Sequence, residues 1–292
     1  MTAVTLPPRL LVADFGRDRM ALIAFWMLAA LLFAAFSAPW LAPQNPYDLA
    51  QLDILDAKLA PGAHSSAGLT YWLGTDDQGR DMLSAILYGL RISLGVGIAS
   101  TALALGLGVV AGMIAARAGG WIDGLIMRVV DLQLSFPAIL VALILLALTG
   151  QGIDRIILAL VVVQWSYYAR TVRAATLVEL RKEYVEAAVC MAVAESRILL
   201  RHVLPNVLPP VMVVATVQIA QAIALEATLS FLGLGLPITE PSLGLLIANG
   251  YAHLLSGKYW ISFFPGIALL VTIVAINLVG DRLRDVFNPR LN

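Results

Sequence analysis

Long apolar runs alternate with short polar blocks along this chain, and the lengths of the runs set the first expectation. They fall at about 20–41, 92–116, 129–148, 153–168, 207–236 and 261–280. Most approach the roughly 20 residues that a helix needs to cross a hydrocarbon layer about 30 Å thick. Backbone donors and acceptors must pair internally in lipid, so such runs form helices. The pattern predicts an all-α, polytopic membrane protein with about six transmembrane helices. The first run, 20–41, follows a basic head, 1–19, with Arg9, Arg17 and Arg19. It is long for a signal-peptide core, and Pro39 directly follows the one small-residue site at Ser37-Ala38, so it reads as an uncleaved span. The second run is rich in small residues. Gly108 and Gly112 form a GxxxG pair that lets two backbones approach closely, and the pattern leaves open whether the neighbour lies in this chain or in another subunit. Pro137 breaks the third run near its start. Pro209-Pro210 are expected in the first turn of the fifth, where proline is tolerated.

Two polar blocks interrupt this series. The segment 42–91 carries Pro43, Pro46 and Pro61, the acids Asp48, Asp53, Asp56, Asp76, Asp77 and Asp81, and Tyr47, Tyr71 and Trp72. It reads as an outer excursion between the first two spans. Thr75 or Asp76 is expected to cap a helix starting near Gly79 and lying along the interface. The second block, 170–206, belongs to a core region of 92–284 that precedes a short tail, 285–292. It holds Glu183, Glu186, Glu195, Arg197 and Arg201. Each such charge at the centre of a bilayer would cost about 2.5–3.5 kcal/mol, which excludes the block from hydrocarbon. Tyr184, Ala187, Ala188, Met191, then Ile198, Leu199 and Val203 recur at helical spacing, which predicts short amphipathic helices outside the membrane. Such a small-residue face suits the groove of a partner. It equally suits a connector resting on its own bundle.

Composition supports the class. Hydrophobic residues make up 60% and charged residues 13%, against about 25% charged in soluble domains. Net charge is zero, so placement matters more than balance. With the N-terminus inside, fourteen Lys and Arg fall on inner segments and five (Lys58, Arg80, Arg91, Arg155, Lys258) on outer ones. That bias predicts cytoplasmic termini and a cytoplasmic 170–206 block. Cys190 is the lone cysteine, which leaves no intrachain disulfide, and His64, His202 and His253 show no metal-ligand spacing. GxxxxGK[ST], HExxH and GxSxG are all absent, so no enzyme and no ATP-binding loop is expected in this chain. Three polar residues inside spans are candidates: Glu226, near the outer end of the fifth, Asp131 and Gln164. An intramembrane carboxylate is either a substrate contact or a tie to a neighbouring helix. An ion-coupled secondary transporter remains an alternative, though no internal repeat of the kind common in that class is visible.

Glu186-Ala187-Ala188, followed by Leu204-Pro205, resembles the EAA signature of ABC-importer permeases. Four further stretches, Leu73–Asp81, Arg128–Asp131, Leu229–Gly235 and Asn277–Asp285, are similar to the second-permease branch of the dipeptide, oligopeptide and nickel importers. Together they span about 73–291 in the family's order. One departure stands at Ala192, where the family usually has Gly; a Gly there would turn the chain with positive φ between two helices. The resemblance implies an EAA coupling helix pair that docks ATPase subunits through Tyr184, Glu186, Ala187, Ala188, Ala192, Leu204 and Pro205, and a substrate path past Glu226 and Gln164. It implies a second permease completing the pore, two cytoplasmic ATPase subunits holding ATP and Mg, an extracytoplasmic binding protein and a bacterial inner-membrane location. It implies no cofactor or metal on this chain and no nucleic-acid partner. Peptides, glutathione and nickel chelates remain open as substrates.

Overall fold

The architecture was taken from a computed structural model that describes residues 18–48, 52–65, 68–237 and 239–287. Most of the expected head and the end of the tail lie outside the described residues. Helix α1 (Arg19–Phe36) starts where the Asp18 carboxylate accepts from the Met20 amide. A short α2 (Ala38–Leu41) continues it. The long helices that follow are α3 (Met82–Ala118), α4 (Gly120–Ser135), α5 (Ala138–Thr149) and α6 (Ile153–Glu179). Helix α7 (Glu183–Cys190) is short, α8 runs continuously over Glu195–Phe231, α9 is Leu243–Tyr251 and α10 is Trp260–Phe287. Two-residue strands β1 (Ala63–His64) and β2 (Thr70–Tyr71) pair antiparallel in the outer segment.

Several boundaries differ from expectation. Among the described residues, four helices (α1, α3, α8, α10) are by length and composition apolar enough to cross a membrane, or five spans if the bent pair α4–α5 is one. The expected span 153–168 is the first part of α6, whose apolar run ends at Gln164, Ser166, Arg170 and Arg173. Pro137 does more than mark the start of a span: α4 and α5 meet at 92°. Phe136, the residue before proline, is extended (φ −93°, ψ 142°), as ring crowding dictates. No separate interfacial helix begins near Gly79. Asp81, rather than Thr75 or Asp76, is the cap, accepting from the Ser84 amide at 2.8 Å, and α3 runs unbroken from Met82 through the second span. Asp76 instead closes a local turn. It accepts from the Gln78 and Arg80 amides at 2.9 Å and from Arg80 Nε at 2.6 Å, with both side chains buried. Pro209 and Pro210 lie inside α8, not in its first turn, because the helix begins at Glu195 and passes through a wide π-turn, Ile198–Val203.

Three hydrophobic clusters share α3 and α8. One joins them to α1, α9 and α10 through Leu90, Ile223, Leu246 and Ile261; another joins them to α5 and α6 through Val96, Leu146, Leu160 and Leu229. The third gathers Met113, Tyr168, Val172, Val203 and Val207 around Val185 and Ala188 of α7. The GxxxG pair settles its neighbour: a Cβ on Gly108 would lie 2.3 Å from Tyr168 Cβ, and one on Gly112 would lie 2.6 Å from the Ala169 carbonyl. Helix α3 therefore packs backbone-close on α6 of the same chain.

Candidate functional site

Helix α7 ends in a Schellman turn. The Val193 amide donates to the Ala188 carbonyl at 3.1 Å and the Ala192 amide to the Val189 carbonyl at 2.9 Å. This pair of bonds requires a left-handed residue between them, and Ala192 takes that conformation at φ 52°. The elbow expected of a glycine is thus made by an alanine, because the two bonds and the contact of Val193 with the cluster around Ala188 hold it there. After the turn the chain enters α8 at Glu195, whose carboxylate pairs with Arg117 at the end of α3.

The α7 faces divide differently from the expected docking face. Ala188 is 5% exposed and Val185 equally buried, both against the chain's own cluster. Ala188 thus packs on the chain's own bundle, while the other side of α7 faces outward. Glu183, Glu186, Ala187, Val189, Cys190, Met191 and Ala192 reach solvent, as do Leu200 and Pro205 beyond the elbow, while Leu204 is half-buried. Val189 and Met191 are large, apolar and mostly exposed. Tyr184 fastens the helix: its hydroxyl donates to Glu179 Oε2 at 2.8 Å and accepts from Asn206 Nδ2 at 3.4 Å. Burial, then the bond to Glu179, pushes the phenol up to about 12, so it stays a donor through neutral pH. Lys182 also pairs with Glu179. Glu179 ends α6 and Asn206 belongs to α8, so α7 is tied to both long helices. Arg170–Asp131 and Arg173–Asp123 then join α6 to α4. Asp131 thus meets a base of another helix.

A groove of about 410 Å³ opens between α5, α6 and α8, lined by residues including Ile139, Gln164, Tyr167, Gln221, Leu225 and Thr228. Gln164 is buried at its wall, donating to the Gln218 carbonyl at 3.0 Å. Glu226 is fully enclosed on another face of α8 and does not line this groove. Its carboxylate accepts from Ser93 Oγ of α3 and from Ser230 Oγ, each at 2.8 Å. The motif that follows it ends α8: Gly233 is left-handed at φ 77°, with the Leu234 amide bonded to the Leu229 carbonyl at 3.1 Å. A helix end of this kind explains Gly233 without a ligand. Spacing did not show that Tyr184 joins Glu179 to Asn206, because the bonds cross three helices. Among the described residues no group of three or more His, Cys, Asp and Glu side chains stands ready for a metal.

Long apolar helices around a groove, with a short charged helix fastened to two of its walls, are the architecture of a polytopic membrane protein. The chain belongs to the binding-protein-dependent transport system inner membrane components, whose family model matches residues 108–292. Residues 9–61 match the N-terminal transmembrane domain of oligopeptide transport permease C. It is 37% identical to a putative peptide transport system permease protein of Brucella suis, covering 100% of this chain and 99% of that protein. It is 34% identical to the di/tripeptide transport system permease protein DppC of Pseudomonas aeruginosa, over 95% of this chain and 90% of that one. Its fold is similar to a chain of the inward-facing MetNI methionine ABC transporter, with a TM-score of 0.58, 21% identity, and coverage of 70% of this chain and 97% of that one. It is accordingly an ABC-importer permease subunit of the peptide-transport class. Membership sets aside the ion-coupled alternative.

Proposed function

We propose that this chain forms half of the pore of an ATP-driven peptide importer and receives the force of ATP hydrolysis through α7. The observation that carries the reading is the Glu179–Tyr184–Asn206 chain of hydrogen bonds. It attaches α7 at once to α6 and α8, two of the walls of the groove. A push on α7 is thereby a push on the path. In this reading a second permease completes the pore, and two cytoplasmic ATPase subunits hold ATP and Mg. A binding protein outside delivers substrate, and lipid surrounds the spans. The exposed Val189 and Met191, bordered by Glu183 and Glu186, are the surface for an ATPase groove. Closure of the ATPases moves α7 as a rigid body and shifts the spans between inward and outward openings. With the apolar first part of α6 as a sixth span beside α1, α3, the α4–α5 pair, α8 and α10, both termini lie in the cytoplasm, in keeping with the basic-residue bias. The names of the relatives favour peptides over glutathione or nickel chelates.

Val189→Asp together with Met191→Asp tests the docking surface. Both positions are exposed, so thermal stability of the permease stays within about 0.5 kcal/mol. Co-purification of the ATPase subunits and substrate-stimulated hydrolysis are expected to be lost. Wild-type levels of both would make α7 a connector and nothing more.

A further inference from the structure

We infer that Glu226 is a positioning residue that sets which face of α8 lines the groove; this rests on the pore reading above. On α8 the groove residues are Gln218, Gln221, Ala224, Leu225 and Thr228. At about 100° per residue these cluster on one side, and Glu226 lies about 140° around the helix from Gln221. Ser230, one turn on, lies further still toward the back. The groove wall and the carboxylate therefore occupy opposite faces of one helix.

The back of α8 is otherwise apolar or small: Ala220, Ala222, Ile223 and Ala227 are all buried. A Cβ on Gly97 of α3 would lie 2.7 Å from Ile223, and one on Gly244 of α9 would lie 2.3 Å from the Ala227 carbonyl. Contacts of this kind hold α8 close and limit its rotation about the helix axis to small angles. Hydrogen bonds are directional and weaken steeply off-axis. The bond from Ser93 Oγ to Glu226 Oε2 crosses from α3 to α8, while Ser230 Oγ holds the other carboxylate oxygen and so fixes its plane. Ser242, the cap of α9, is fully buried and accepts from the Leu245 amide at 3.2 Å. Glu226 is wholly enclosed, and the bond from Ser93 fixes the rotational setting of α8 and with it the groove face.

The test uses the assembled importer in liposomes, with labelled alanyl-alanine as probe. In Glu226→Ala, transport per ATP hydrolysed is expected to fall about tenfold, through loss of buried bonds to a carboxylate, while subunit assembly and hydrolysis persist. Glu226→Gln keeps an acceptor for Ser93 and is expected to stay within about twofold of wild type. If Glu226→Ala does not assemble, Ser93→Ala with Ser230→Ala takes its place with the same expected fall. A second readout needs no transport. In a Cys190→Ser background, maleimide labelling at Gln221→Cys relative to Ile223→Cys should drop about tenfold when Glu226 is replaced by Ala, because α8 is released to turn. An unchanged labelling ratio, or uptake, hydrolysis and assembly falling together in every variant, overturns the inference. Absence of ATP-driven uptake in the wild-type complex overturns the pore reading instead, and the labelling ratio then decides the role of Glu226 by itself.

Discussion

Ala192→Gly puts the elbow after α7 to a quantitative test. Ala192 sits at φ 52°, where a Cβ crowds the following carbonyl at a cost of about 1–2 kcal/mol. Glycine removes that cost but loses more chain entropy on folding, about 0.5–1 kcal/mol relative to alanine. The difference favours glycine by roughly 0.5–1 kcal/mol, a factor of about three in a local opening equilibrium. The Val193 and Ala192 amides, bonded to Ala188 and Val189, report that opening directly. Their hydrogen exchange in the reconstituted protein is expected to slow about threefold. Ala194→Gly is the control, because Ala194 has an ordinary φ of −57°; there glycine brings only its entropic cost, and exchange should quicken. If Ala192→Gly quickens exchange as Ala194→Gly does, the elbow is not strained and the Schellman reading fails.

Three further outcomes follow from the packing and the charges. Ala188→Trp overpacks the chain's own cluster and should lower the stability of the isolated permease by about 1–3 kcal/mol in thermal unfolding, while Ala187→Trp, on the exposed side, should leave unfolding unchanged and block ATPase co-purification; equal melting shifts in the two would refute the division of faces. Gly108→Leu would drive a side chain into Tyr168 and the Trp165 carbonyl, prising α3 from α6, so its thermal midpoint should fall; a midpoint equal to wild type would mean that the two helices do not touch there. In a Cys190→Ser background, Ser256→Cys should react with an impermeant thiol reagent outside intact cells and Ser196→Cys should not; labelling of position 196 from outside would reverse the orientation.

Run length and charge were enough to establish a membrane-spanning helical chain with two polar blocks, of which 170–206 cannot enter lipid, because hydrocarbon thickness and the cost of buried charge act on any local stretch alike. The EAA-like residues and the glycine at position 233 were likewise visible as motifs, since caps and turns depend on near neighbours. What lay beyond the sequence depended on neighbours distant along the chain. The burial of Ala188 is decided by Val172, Val203 and Val207 of other helices, so helical spacing identified an apolar face without saying what covers it. The left-handed Ala192 is tolerated because two backbone bonds and a packed Val193 outweigh its steric cost. The 92° bend at Pro137 and the unbroken course of α8 through Pro205, Pro209 and Pro210 show one residue type ending a helix in one place and riding inside another. Proline removes a donor everywhere, but the surrounding helices decide whether the chain turns. Glu226 makes the same point inside the bundle. Its presence in an apolar run was plain, and Ser230 lies one turn along the same helix, yet only the packing of α3 against α8 brings Ser93 to it on the side away from the groove.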